Sequence, residues 1–192
     1  GITNSTITDH LIDVCEERAD ALAIIDLEDD YVPAHESTDT EATRKPDVDT
    51  AVQKLKNRQI NSSYGAAYYP FVQFRDSLAN QLLFVPPSVV GLGTLSYSES
   101  VRDVWFAPAG FTRGGLSDGK IGFPVVGVKH QLTSDERDKL YEVNINPIAS
   151  FPAEGIVVFG QKTLQVSESA LNRINVRRLL IFLKREISRV AA

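Results

Sequence analysis

The chain of 192 residues contains no methionine, one cysteine, one tryptophan and three histidines. With a single thiol, Cys15, no intrachain disulfide framework and no multi-cysteine zinc site can form, which fits a reducing compartment. The histidines, His10, His35 and His130, lie far apart, and no H-E-x-x-H pair places two imidazoles on one helix face. A net charge of −5 argues against broad nucleic-acid binding through a basic surface. No run approaches the roughly 18 apolar residues of a membrane span, and no charged start followed by an apolar stretch marks a signal peptide. The absence of methionine with Gly1 at the start is what a processed or excised piece would show. What remains, 43% hydrophobic and 23% charged, is an ordinary globular composition, and the length is that of about one domain.

Apolar spacing divides the chain into alternating helices and strands. Ile7, Leu11, Val14, Cys15 and Arg18 recur at helical steps behind a cap at Ser5 or Thr6, with Cys15 a buried thiol on the apolar stripe. Ala21 to Ile25 reads as a strand covered on both faces. The acidic stretch from Asp26 to Arg44, around Pro33, lacks the glycine and terminal glutamate of a calcium-binding loop and reads as solvated. Pro46 opens a helix whose stripe is Val48, Ala51, Val52 and Leu55, ending near Arg58.

Strand signals follow over Tyr64 to Phe74 and over Gln81 to Val85, the latter halted by Pro86 and Pro87, after which Ser88 is placed to cap a short helix. Val104 to Phe106, Pro124 to Val128 and Ile156 to Phe159 read as further strands, with glycine-rich turns between Gly110 and Gly122. Thr133 with Glu136 is a capping box opening a helix to about Tyr141, and a last helix runs from about Asn172 to Val190. This alternation predicts an α/β fold, a mixed central sheet flanked by helices, in a single domain over residues 1–192.

No catalytic, cofactor or metal site emerges. Gly91-Leu92-Gly93 fails as a dinucleotide turn because Ser96 replaces the third glycine and two prolines separate it from the strand. No phosphate-binding loop exists, since Lys120 after Gly119 is followed by Ile121, and no G-x-S-x-G elbow occurs. The other enzymatic reading is a hydrolase or nucleotide-binding enzyme using the glycine-rich middle segment. A sugar-binding adhesin domain ranks lower, because the aromatics sit in strand-like runs.

The last helix is the most informative element. Val176, Leu179, Leu180, Leu183, Ile187 and Val190 share one face, expected to pack into the core. Arg178, Arg185 and Arg189 fall opposite, with Ile181 and Phe182 beside them, and the stretch Asn172 to Arg189 carries +5 in a chain of −5. These five residues are the candidate contact surface for another protein, because interfaces favour arginine and aromatics.

The sequence resembles the sheath subunits of contractile phage tails and related injection machines. The resemblance rests on Ser63 to Asp76 (SYGAAYYPFVQFRD), Val85 to Ser88 (VPPS) and Ala107 to Gly114 (APAGFTRG). It continues through Glu136 to Leu164 (ERDKLYEVNINPIASFPAEGIVVFGQKTL) and Arg173 to Ile187 (RINVRRLLIFLKREI). The acidic Asp26 to Arg44 stretch and the Gly114 to Gly122 segment match less well. What the resemblance implies is a structural protein of the virion and not an enzyme. It implies a sheath of stacked hexameric rings around a tail tube, assembled in the bacterial cytoplasm, contracting from a metastable extended state. The implied partners are other sheath subunits, the tube protein, the baseplate and a tail terminator, with no nucleic acid, membrane or cofactor. It further implies that this is a central piece of a longer subunit, lacking its lacing arms and monomeric by itself.

Overall fold

A computed structural model describes residues 2–28, 48–76 and 78–191. The expectations for Asp29 to Arg44, His35 and Pro46 lie outside the described residues. Helix α1 (Ser5–Arg18) and strand β1 (Ala23–Asp26) are followed by α2 (Val48–Asn57) and three strands, β2 (Gly65–Tyr69), β3 (Val72–Asp76) and β4 (Gln81–Val85). Then come α3 (Pro87–Val101), the single turn α4 (Gly110–Arg113), β5 (Val125–Val128) and α5 (Ser134–Glu142). Strands β6 (Ile145–Phe151) and β7 (Gly155–Val158), a 3-10 turn (Ala170–Asn172) and α6 (Ile174–Ala191) complete the order.

The central sheet has the order β1-β2-β6-β7 and is mixed, with β1, β2 and β6 parallel and β7 antiparallel. Its long strand β6 serves two partners in turn. Ile145 to Pro147 pair with β2, and Ile148 to Phe151 pair with β7. A second, antiparallel sheet has the order β4-β3-β5.

Alternation along β2 sends side chains to two cores. Ala67 and Tyr69 join Ile25, Ile145 and the apolar sides of α1, α2 and α5 on one face. Ala66 and Tyr68 join Ile148, Val158, Val90 of α3, Val72 and Val125 of the second sheet, and Ile174 of α6 on the other. The expected α/β architecture, a mixed sheet between helices, is thus the observed one.

Several local expectations held for physical reasons that can be named. In α2, Val48, Ala51, Val52 and Leu55 are all buried, as their spacing requires. The Thr133 side chain accepts from the Glu136 amide, while the Glu136 carboxylate accepts from the Thr133 amide at 2.8 Å, completing the capping box of α5. Burial pushes the Glu136 carboxyl upward, yet the Thr133 amide and hydroxyl, with His130 at 3.1 Å, hold it below the usual glutamate value. Burial raises the Cys15 thiol, consistent with a packed and unreactive side chain.

Other expectations are corrected. The cap of α1 is Asn4, whose Oδ1 accepts from the Ile7 amide at 3.2 Å, and not Ser5 or Thr6. The buried side of α1 is Thr8, Ile12 and Cys15, which leaves Ile7 and Leu11 exposed. Asp26, expected to open a solvated loop, instead ends β1 and is buried. Its carboxylate accepts from both the amide and the hydroxyl of Ser88 at 2.8 Å. Ser88 therefore lies inside the first turn of a long helix rather than capping a short one, and Pro86 and Pro87 preset that turn.

Val104 to Phe106 form a turn and not a strand, since the Phe106 amide donates back to the Asp103 carbonyl at 3.1 Å. Leu82 and Leu83 of β4 are exposed, β4 being an outer strand of the smaller sheet that among the described residues pairs with β3 alone. Phe159 falls just past β7 and is exposed, stacked in a surface cluster with Phe111 and Phe151.

Candidate subunit interface

Helix α6 begins from a pinned segment. The Ile174 amide donates to the Gln161 carbonyl at 2.9 Å, the Thr163 amide to the Asn172 carbonyl at 3.0 Å, and the Thr163 hydroxyl to the Leu171 carbonyl at 2.9 Å. Ile174 is fully buried in the core on that face of the sheet. One turn on, Arg177 is only 7% exposed. Its guanidinium lies 4.0 Å over the Tyr64 ring and donates to the Ser63 hydroxyl, so the cation is buried against an aromatic face. With Ile174 and Arg177 both inside, the rotation of the helix is set, because positions three and four apart share a face.

That rotation decides the fate of the five candidate residues. Arg178 turns toward the body, where its guanidinium donates to Glu99 at 2.7 Å. Burial draws its pKa down, and the Glu99 carboxylate opposes the shift. Phe182 packs on Trp105 with ring centroids 5.8 Å apart, and the Asn175 amide donates to the Trp105 carbonyl at 3.1 Å. Ile181 and Phe182 border a shallow cleft of about 220 Å³ with Asp20, Leu22, Glu99 and Val104. Arg178 and Phe182 thus hold the helix to the body and Ile181 is half-buried beside them, contrary to the expectation that they face outward.

Arg185 and Arg189 do reach solvent, with side chains 74% and 75% exposed, and both lie beside Glu186 at 3.6 and 2.8 Å. Lys184 donates to the Arg18 carbonyl at 3.3 Å, placing a cation at the C-terminal end of α1.

The expected core-facing stripe is the outer face. Leu180 and Leu183 are exposed, Ile187 is 67% exposed and Val190 is 82% exposed, while Val176 and Leu179 are half-buried. The buried anchors Ile174 and Arg177 escaped sequence reasoning. A cation that sinks its stem over an aromatic ring has no local pattern, and its partners Ser63 and Tyr64 are more than a hundred residues away.

The remaining motifs are structural. Gly91 and Gly93 lie inside α3, where an added Cβ would meet the Tyr68 ring at 2.8 Å and Ile121 Cβ at 2.9 Å. These glycines permit close packing and do not form a turn that cradles phosphate. Among the described residues, no group of three or more His, Cys, Asp or Glu side chains could hold a metal ion, and no helix is long and apolar enough to cross a membrane.

No family model matches the chain. It is 33% identical, over 71% of its length, to the tail sheath protein of Vibrio phage KVP40, and covers 20% of that protein. It is 27% identical, over 97% of its length, to the tail sheath protein of Enterobacteria phage T4, of which it covers 28%. The tail sheath protein of Salmonella phage ViI is 28% identical over 94% of the chain, which covers 26% of it.

Among solved structures, the helical sheath of the anti-feeding prophage in its contracted state superposes with a TM-score of 0.63 at 23% identity. That match spans 97% of this chain and 43% of the other. The contracted sheath complex of an extracellular contractile injection system, PVC, gives 0.58 at 26% identity, over 74% of this chain and 35% of that one. The chain therefore spans less than a third of the length of these curated relatives. Sequence and fold together make this chain a homologue of one stretch of the tail sheath proteins of contractile tails.

Proposed function

We propose that the chain is the α/β core domain of a contractile tail sheath subunit. The observation that carries this reading is the similarity running along 97% of the chain to the T4 tail sheath protein, supported by an α/β fold shared with contracted sheaths. In this reading the protein is structural and catalyses no reaction. Subunits stack as hexameric rings around a tail tube, bounded by a baseplate and a tail terminator, and the assembly forms in the bacterial cytoplasm before release in the virion.

The work of contraction comes from contacts that differ between two lattices, so no nucleotide is consumed. A head-to-tail contact that does not close on itself generates such a helix. Within this domain, Arg185 and Arg189 stand at the solvent edge of α6 as contacts for a neighbouring subunit or the tube. Arg178, Ile181 and Phe182 act one step back, fixing the angle at which α6 is presented.

Electron microscopy of the full-length gene product tests the reading. Sheath-like tubes are expected, and a protein that forms no ordered tubes under any assembly condition overturns it. Charge reversal of Arg185 and Arg189 is expected to impair tube formation while leaving the fold intact. This chain alone is expected to be monomeric in light scattering at micromolar concentration, and rings or filaments would contradict that.

A further inference from the structure

Two surfaces of the domain carry charges without an ion-pair partner among the described residues, and the charges are opposite in sign. The first surrounds the cluster of Phe111, Phe151 and Phe159, whose ring centroids lie 5.0–5.6 Å apart and of which Phe111 and Phe159 are exposed. Arg137 lies 5.2 Å over the Phe151 ring, and Arg113, in the same turn as Phe111, lies 5.0 Å over Phe106. Arg113 donates to the Ala107 carbonyl, and Arg137 to the Leu132 carbonyl and the Ser134 hydroxyl. Among the described residues neither guanidinium meets a carboxylate. Exposed rings with arginines stacked beside them are the composition of an interface centre.

The second surface is the outer side of α1. Ile7 and Leu11 are exposed one turn apart, and at 100° per residue Asp13 and Glu17 fall along one side of them. The helix holds four carboxylates against Arg18, which is taken by Asp20 at 2.8 Å. Asp9 pairs with Arg58, and Glu16 accepts from the Ser62 hydroxyl. Asp13 and Glu17 are exposed and have no partner among the described residues. An apolar pair bordered by two free carboxylates is complementary to a ring cluster bordered by two free guanidinium groups.

Within one chain these surfaces cannot meet. Helix α1 packs on β1 and α4 on β7, the opposite edges of the central sheet, with β2 and β6 between them. Each surface therefore finds its complement on another copy. Such a contact uses a different patch on each copy and leaves one patch free at either end, so it propagates instead of closing as a two-fold pair.

Resting on the sheath reading, we propose that the phenylalanine and arginine patch of one subunit receives the outer side of α1 from the next subunit. Ile7 and Leu11 cover the exposed rings of Phe111 and Phe159, and Asp13 and Glu17 approach Arg113 and Arg137. A handful of residues a side falls well short of the roughly 20–30 of a stable complex. The contact therefore forms where the array already holds neighbours close, and the isolated chain stays monomeric at micromolar concentration.

Cysteine pairing in tubes of the full-length gene product tests this contact. Leu11→Cys and Phe111→Cys are introduced together and singly, the tubes are treated with a short bismaleimide, and the products are separated under denaturing conditions. Cys15 is buried, and parent tubes give the background. The double variant is expected to yield a ladder of covalent oligomers, and each single variant to remain monomeric. Tubes of the double variant that give no ladder overturn the proposal, as do dimers from either single variant, which would mark a two-fold contact. A second variant, Asp13→Arg with Glu17→Arg, changes only exposed positions, and a thermal melt checks its fold. It is expected to lower tube yield at least about tenfold, and an unchanged yield overturns the proposal. Parent protein that forms no tubes overturns the sheath reading itself, whereas tubes without the ladder overturn this contact alone.

Discussion

Helices α2 and α6 are both amphipathic, yet they sit in opposite ways. In α2 the stripe Val48, Ala51, Val52 and Leu55 is buried, and Lys54 reaches Glu28 at the surface at 2.8 Å. In α6 the stripe Leu180, Leu183, Ile187 and Val190 faces solvent, while Arg177 is interior. Periodicity reports which residues share a face, but not what that face meets. A helix pinned at its first turn takes its rotation from the pin, and in α6 the pin is Ile174 with Arg177.

Four substitutions break or sharpen this contrast. Leu55→Ala empties a well-packed site in α2 and is expected to cost about 2–5 kcal/mol in denaturant unfolding. Arg177→Ala removes the hydrogen bond to Ser63 and the packing over Tyr64, at about 2 kcal/mol. It should also speed amide exchange along α6 more than along α2, and equal exchange in both would show that Arg177 does not pin the helix.

Thr133→Ala, in a helix with little apolar stripe of its own, is expected to cost about 1 kcal/mol through loss of the cap. Part of that cap is pH-dependent. Since Glu136 titrates below its ordinary value of 4.5 in the folded protein, its contribution is present above that value and is lost as pH falls through the folded one. The gap between parent and Thr133→Ala melting temperatures should therefore narrow on acidification. Leu183→Ala, the counterpart of Leu55→Ala on the outward stripe, should change the stability of this chain by less than about 0.5 kcal/mol. A loss comparable to that at Leu55 would mean that the stripe is packed after all.

Much of the architecture was legible because local chemistry and burial agree over most of the chain. The stripe of α2, the capping box of α5 and the apolar runs at β5 and β7 each point to the element that forms. The failures occur where a distant partner overrides the local signal. Ser88, a natural cap by type, is drawn to Asp26, which lies 62 residues earlier in the chain. Gly91 and Gly93, turn formers by type, sit in a helix at positions where Tyr68 and Ile121 pack in the space a side chain would take.

At the candidate interface the helix itself and the solvent exposure of Arg185 and Arg189 could be read from sequence. Its orientation could not, because the deciding contacts, Ser63 and Tyr64 against Arg177, come from the far side of the chain.

Strand β6 carries a mechanical consequence. Its first half is bonded to β2 and its second half to β7, so no direct bonding between β2 and β7 shares the load. Tension applied along β7 passes into the backbone of β6 near Pro147 and Ile148, and also along the chain that follows β7, whose Leu164 amide donates to the Gly65 carbonyl of β2 at 2.8 Å. There the ladder bonds run crosswise to the pull and are strained together rather than peeled in sequence. Within the sheet, that junction joins the antiparallel edge strand to the parallel strands through one continuous backbone.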